Sequence, residues 1–388
     1  MARYQRKMPR RNFADFHASY YAGQRILKAQ KLYDTESFQK DGVANFKYPP
    51  LIAMIFALLA FTPERVAATI WFTFNFGLLV LFIYYSGKMI FDQKVTQRQK
   101  NWIYFWSLFL TSRFYMQNFD EGQVNFLMMT TLLLSIFATS KRKELLSGLG
   151  VAFSILVKYM SVIFIPYFLF KRKFKLAFFI VVGFLIFSIL PAVFIGWERN
   201  ADYQSQYLPY VSETSLDIDS LSDEANQSLI SMIVRYFSNF GTYAIGLLNL
   251  EKFYLGFIAG GCYVFLYLLS IFPAKKKLRM KVEGGIDAID IGMLFICAAL
   301  FNPNAWMHAF IFLTFGYMVI FTYLYQIRFN DKIVLFLVVL SFMLHSLTNS
   351  ELTRSWAGEF FEIYSFVTLG ALVTFAALLK IKFLPKAD

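Results

Sequence analysis

The chain is poor in charge, carries two cysteines, and contains no internal repeat, no low-complexity tract and no polar stretch long enough to fold as a separate soluble domain. Each shortage excludes something. Charged residues make up 16% of the sequence, against about a quarter in ordinary soluble domains, so a globular protein in water is excluded. Cys262 and Cys297 lie inside apolar segments without metal-ligand spacing; they read as small buried residues and leave the redox compartment open. The apolar runs lack strict alternation, which excludes a membrane β-barrel. Acid is also short, leaving a net charge of +13, but Lys and Arg sit in brief clusters between apolar runs. That is the pattern of cytoplasmic membrane loops, not a nucleic-acid surface.

What is there is hydrophobic: 57% apolar, 20% aromatic, mean hydropathy +0.49. Lipid offers the backbone no hydrogen bonds, so continuous apolar runs predict helices and an all-α, polytopic transmembrane bundle. Expected spans are 66–86, 101–116, 124–140, 174–196, 253–273, 286–301, 305–326, 332–348 and 360–382. The basic loops at 88–100, 141–144, 171–175, 275–281, the Arg328/Lys332 turn and the 380–386 tail are expected in the cytoplasm. Acid-richer loops around Asp120-Glu121, 198–225 and 351–362 then face outward.

Two segments do not fit a simple count. The run 145–170 has basic flanks at both ends, so it predicts two short helices turning at Val157-Lys158-Tyr159, with Lys158 near the outer surface or in a cavity. "YPPLIAMIFALLAF", 48–61, is short for a span and starts with two prolines. It predicts an interfacial or re-entrant helix with Pro49 and Pro50 in its first turn. Residues 13–65 then form an outer-face layer of amphipathic helices, with Asp15 at a helix start and Asp34 closing a turn.

The stretches "DFHASYYAGQRILKAQKLYD", "FKYPPL", "EGQVNFLMM", "SGLGVAFSILVKYMSVIFIPYFLFKRKFK", "NQSLISMIVR" and "NPNAWMHAF", in this order, make the chain similar to the GT-C class of lipid-dependent glycosyltransferases. It most closely resembles glycosyltransferase family 87, the polyprenyl-phosphate-mannose-dependent group. The resemblance implies one membrane glycosyltransferase domain over 1–388: an outer catalytic loop with interfacial helices (13–65), a GT-C-like module (66–196), an outer loop (198–227) and C-terminal helices (228–388). It implies transfer of a hexose, mannose or a similar sugar, from polyprenyl phosphate to a hydroxyl of a glycolipid or glycan. The expected site faces outward from a cell membrane, the bacterial inner membrane, with inversion at the anomeric carbon. The family carries a transmembrane helix before the DF motif; here "MARYQRKMPRRN" has no apolar run, so the expectation is an upstream first helix or a truncated form.

Inverting transfer needs one base for the acceptor proton, and the resemblance assigns that role to Asp15, which by sequence alone reads equally as a helix N-cap. Asp120 and Glu121 could position the acceptor or serve the dipole of the helix behind them, with Gln123 and Asn125 supplying neutral hydrogen bonds to sugar hydroxyls. Tyr20, Tyr21, Asn226, Gln227 and Trp306 complete the expected substrate contacts, and Trp306 and Trp356 could equally anchor helices at the interface. Lys158, His308, Arg354 and Arg235 are the candidate cations for the leaving phosphate, and Asp15, Lys158 and His308 are expected to line one cavity. No cofactor and no metal are expected, a divalent cation at the acidic pair being the alternative. A transporter or flippase of lipid-linked sugars is the competing function, and a silent scaffolding relative a third.

Overall fold

The computed structural model describes residues 13–40, 42–215, 217–273, 281–282, 285–348 and 355–383. Arg354, the opening dodecapeptide, loop residues 351–353 and the basic residues of 275–280 and 384–386 lie outside them. The chain is 76% helical. Among the described residues the strand content is one antiparallel pair, with Lys281 opposite Asp287 and Val282 opposite Ile286.

Among the described residues five helices are long and apolar enough to cross a membrane: Glu64–Ile90, Phe174–Ile195, Lys252–Ile271, Met307–Gln326 and Phe366–Phe383. Three of them turn large apolar side chains outward, among them Phe76 and Val80, Phe178 and Val181, Phe257 and Phe265. Water would penalise such faces and lipid does not, which marks a multi-pass membrane protein.

Contacts divide the chain into two compact units. The first takes residues up to Phe82, Met116–Val162 and Lys173–Thr214; the second takes Ile83–Tyr115, Ile163–Arg172 and the chain from Ser215 onward. In the second, the Leu313–Gln326 helix packs against Ala288–Leu300, Gln97–Leu110 and Phe366–Phe383. Buried charge there is paired: Asp290 receives Lys382 at 2.8 Å and Lys171 at 3.0 Å. In the first unit, Glu144–Val157 packs on both Asn125–Ser140 and Phe174–Ile189, while Ala14–Leu27 packs on Pro50–Leu59.

Both misfit segments contain the short helices expected of them. Glu144–Val157 ends at Lys158, whose backbone is extended (φ −160°, ψ 125°), and the chain resumes through a 3-10 turn, Tyr159–Ile163, into Phe164–Phe170. Pro166 falls in the first turn of this second helix, where its missing N–H costs no helical hydrogen bond. The Ser154 and Ser161 hydroxyls, 2.6 Å apart, bridge the break. The second segment is the ten-residue Pro50–Leu59 helix, entered from Pro49 and with Pro50 in its opening turn.

Three expectations are corrected. The 101–116 span is divided into Gln97–Leu110 and Ser112–Glu121 at Thr111, whose hydroxyl donates to Ser107 O at 2.7 Å instead of continuing outward. The 360–382 span is divided at Ser365, which takes a left-handed φ of 56° between Ser355–Ile363 and Phe366–Phe383. The 198–227 loop is mostly helix, Trp197–Ser215 and Ile218–Ser222.

Gly23 sets how closely Ala14–Leu27 can approach its neighbour. A Cβ there would stand 2.6 Å from the carbonyl carbon of Phe56 and 2.7 Å from Ala57 N, both backbone atoms that cannot swing aside. Gly23→Ala should therefore push the two helices apart and cost about 1–3 kcal/mol, read as a lower melting temperature of the purified protein in detergent.

Candidate active site

Asp15 is the second residue of the Ala14–Leu27 helix, not its cap. The capping position falls to Phe13, which adopts a left-handed φ of 68° and makes no side-chain cap bond. The Asp15 carboxylate is therefore not spent on the helix end, although its charge there suits the helix dipole. Instead Phe13 N donates to Asp120 O at 2.5 Å, tying the helix start to the Asp120-Glu121-Gly122 turn. Gly122 has φ +63°, and a Cβ on it would lie 2.6 Å from Phe16 Cβ. Trp71 Nε1 donates to Gly122 O at 2.8 Å from the Glu64–Ile90 helix, so the turn is held from behind.

Around this junction the first unit gathers a set of polar groups. Lys158, at the helix break, donates from Nζ to Asn125 Oδ1 at 2.9 Å, and Asn125 Nδ2 donates to Asn118 Oδ1 at 2.9 Å. Tyr48 OH donates to Gln123 Oε1 at 3.4 Å, and Tyr33 OH donates to Tyr48 O at 2.8 Å. The Tyr33 ring lies 5.8 Å from Tyr207 and 5.6 Å from Tyr210, both on the Trp197–Ser215 helix. Among the described residues no hydrogen bond or ion pair within contact distance consumes the Asp15 carboxylate.

The charges feel one another through space. Burial raises the Asp15 carboxyl above the ordinary aspartate range, and the Lys158 and Lys47 charges act against that rise. The Lys47 ammonium is lowered by partial withdrawal of its end from water, with Asp15 opposing, while the residue as a whole stays exposed. The Tyr48 phenol is pushed well up, first by burial and then by Asp15, Tyr207 and Glu121, so it stays protonated as a donor. A carboxylate with a raised affinity for protons, flanked by two cations, can take a proton from a hydroxyl while the cations face an anion.

Other expected residues have different work. Tyr20 is buried, stacks on Phe16 and donates to Thr62 O at 2.8 Å, which fastens the helix rather than meeting substrate. Tyr21 is half-buried and meets Tyr20 edge-on. Asp120 is exposed and Glu121 half-buried at the turn. In the second unit Asn226 is saturated: it donates to Ser220 O and Pro303 O and accepts from Ser228 N and Ala305 N. Gln227 donates to Glu224 O and Glu362 O. Arg235 is fully buried and spends its guanidinium on the carbonyls of Ile363, Asp223 and Asn226 and on Ser365 Oγ. These three are structural ties, and the phosphate and substrate roles expected of them do not suit their geometry. His308 is buried in the Met307–Phe312 turn of the second unit, and Trp306 is exposed at its start. Among the described residues no group of three or more His, Cys, Asp or Glu side chains is assembled for a metal.

The sequence reading passed over Lys47, Tyr48, Asn118 and Tyr207. "FKYPPL" holds the signal for the first two: a cation and a phenol directly before a proline-initiated helix are fixed in direction by it.

The model of glycosyltransferase family 87 matches residues 46–283, more than half of the chain. The chain belongs to glycosyltransferase family 87. Comparison with curated proteins and with solved structures gave no match. The matched stretch contains Lys47, Tyr48, the Asp120-Glu121 turn, Asn125, Lys158 and Tyr207, while Asp15 precedes it and His308 follows it. A family 87 chain is a glycosyltransferase with donor and acceptor substrates and a membrane association, which sets the transporter expectation aside.

The geometry of the turn has a direct consequence for this glycosyltransferase. Gly122→Ala forces an L side chain into a left-handed backbone and into Phe16, so it should cost on the order of 1–3 kcal/mol and displace the helix start that carries Asp15. The expected result is a lowered melting temperature together with lost activity below that temperature; unchanged activity would mean that the turn does not position Asp15.

Proposed function

We propose that the protein transfers a hexose, mannose being the expected one, from polyprenyl phosphate to a hydroxyl of a glycolipid or glycan at the outer face of the membrane. Asp15 is the general base. It takes the proton of the acceptor hydroxyl as that oxygen bonds to the anomeric carbon from the face opposite the phosphate. The bond from carbon to phosphate oxygen breaks, the phosphate keeps the electron pair, and the configuration inverts. Lys158 and Lys47 face the departing phosphate, whose growing negative charge they offset without a metal or other cofactor.

The observation that supports this reading is Asp15 itself: a carboxyl raised by burial, not consumed by a hydrogen bond, with Lys158 and Lys47 as the charges that act on it. Asp120 and Glu121, close by at the turn, suit contacts to sugar hydroxyls, as do Gln123 and Tyr48.

The test is transfer from a panel of polyprenyl-phosphate sugars by purified enzyme in EDTA, with the anomeric configuration of the product read by NMR. Asp15→Asn removes the base with little change of shape, so it should lower turnover on the order of 10²–10⁴-fold while expression and donor binding persist. Near-normal turnover of that variant would overturn the assignment and bring Glu121 forward.

The charge balance also sets the pH response. A base with a raised pKa holds its proton until the pH exceeds that value, so the acid limb of kcat/KM should lie above the ordinary aspartate value of about 4. Lys158→Ala or Lys47→Ala removes a charge that lowers the Asp15 pKa, and the limb should then move to higher pH. A limb that stays in place in both variants would separate the lysines from Asp15.

A further inference from the structure

Asn118, Asn125 and Lys158 come from three different elements, the Ser112–Glu121 helix, the first residue of Asn125–Ser140 and the break after Val157. Chemistry fixes the direction of the chain they form. An ammonium only donates, so the Asn125 atom 2.9 Å from Lys158 Nζ must be the carbonyl oxygen. That orientation turns the Asn125 amide nitrogen toward Asn118, 2.9 Å away, where the receiving atom must again be the carbonyl oxygen. Both amides are buried, Asn118 at 1% exposure and Asn125 at 0%. Reversing Asn125 would set an N–H against the ammonium and leave its oxygen facing the Asn118 oxygen, a double loss in a dry place.

We infer that Asn118 is a positioning residue for the donor-phosphate site: it sets the Asn125 amide, and the Asn125 carbonyl in turn holds the Lys158 ammonium where an anionic lipid phosphate meets it. The inference rests on the reading of Lys158 as a phosphate cation. Asn118 touches neither the sugar nor the phosphate in this arrangement. In this proposal its effect on the donor passes through the direction of one neighbouring amide. The long lysine stem has many rotamers, and a single fixed acceptor at its tip selects among them before the donor arrives, which lowers the cost of binding.

A thermodynamic cycle separates this role from a general contribution to folding. The donor KM and kcat are measured with a synthetic polyprenyl-phosphate mannose for the full-length enzyme, Asn118→Leu, Lys158→Ala and the double variant. Each single substitution should raise the donor KM about tenfold, with a much smaller effect on kcat. The double variant should match Lys158→Ala within about twofold, because Asn118 acts only through the lysine. Asn118→Asp keeps an acceptor oxygen for Asn125 and should recover most of the lost affinity. If Asn118→Leu raises the KM by the same factor with and without Lys158, the residue acts structurally and the inference is overturned. A Lys158→Ala enzyme with an unchanged donor KM removes the phosphate reading itself, and the inference with it. Should Asn118→Leu fail to fold, Asn118→Ser, too short to reach Asn125, runs the same cycle with the same two readings.

Discussion

A carboxylate drawn partly out of water must find an opposite charge, a set of hydrogen bonds, or a proton, and among the described residues the Asp15 carboxylate is held by no hydrogen bond or ion pair, with Lys158 and Lys47 acting on it through space. Its affinity for a proton is raised by burial and opposed by those two charges, the balance on which the proposed role as general base rests. The contrast within the same chain is Asp290, more fully withdrawn from solvent than the half-buried Asp15 and held by Lys382, Lys171 and the Tyr167 hydroxyl. One carboxylate is locked into the fold; the other is left able to react.

The fold reaches this arrangement by local means. The helix ending at Val157 gives way to an extended Lys158, so the Lys158 backbone leaves the helix axis before the chain resumes at Tyr159. Gly122 allows a left-handed turn in contact with Phe16, and the Phe13 to Asp120 hydrogen bond fixes where the Ala14–Leu27 helix begins. Gly23 then lets that helix lie close on Pro50–Leu59. Two glycines and one extended residue thus locate the proposed base and one proposed phosphate cation.

Much of the architecture was legible because membranes impose simple rules. Same-side basic flanks required a turn near Lys158, and the prolines at 49 and 50 required a helix start, whatever the tertiary context. The Trp197–Ser215 helix was not legible in the same way: its polar face, its proline at 209 and its acidic residues all read as loop, and only packing of Tyr207 and Tyr210 on Tyr33 reveals it. Asn226, Gln227 and Arg235 have hydrogen bonds that the sequence did not show for a related reason. A polar cluster beside an apolar run looks like a site, yet buried backbone carbonyls need donors, and these side chains supply them. Asp15 as a base came from resemblance, since the sequence alone reads it equally well as a cap; the structure removes the capping alternative by giving that position to Phe13.

The central claim is that Asp15 and Lys158 act on one bound donor, the carboxylate toward the sugar and the ammonium toward the phosphate. Electron cryomicroscopy of the enzyme with a non-transferable polyprenyl-phosphate mannose analogue tests it directly. The account predicts a phosphate oxygen within hydrogen-bond distance of Lys158 Nζ, with the Asp15 carboxylate on the far side of the anomeric carbon. A donor phosphate bound away from Lys158 Nζ, with Asp15 turned away from the sugar, would contradict it.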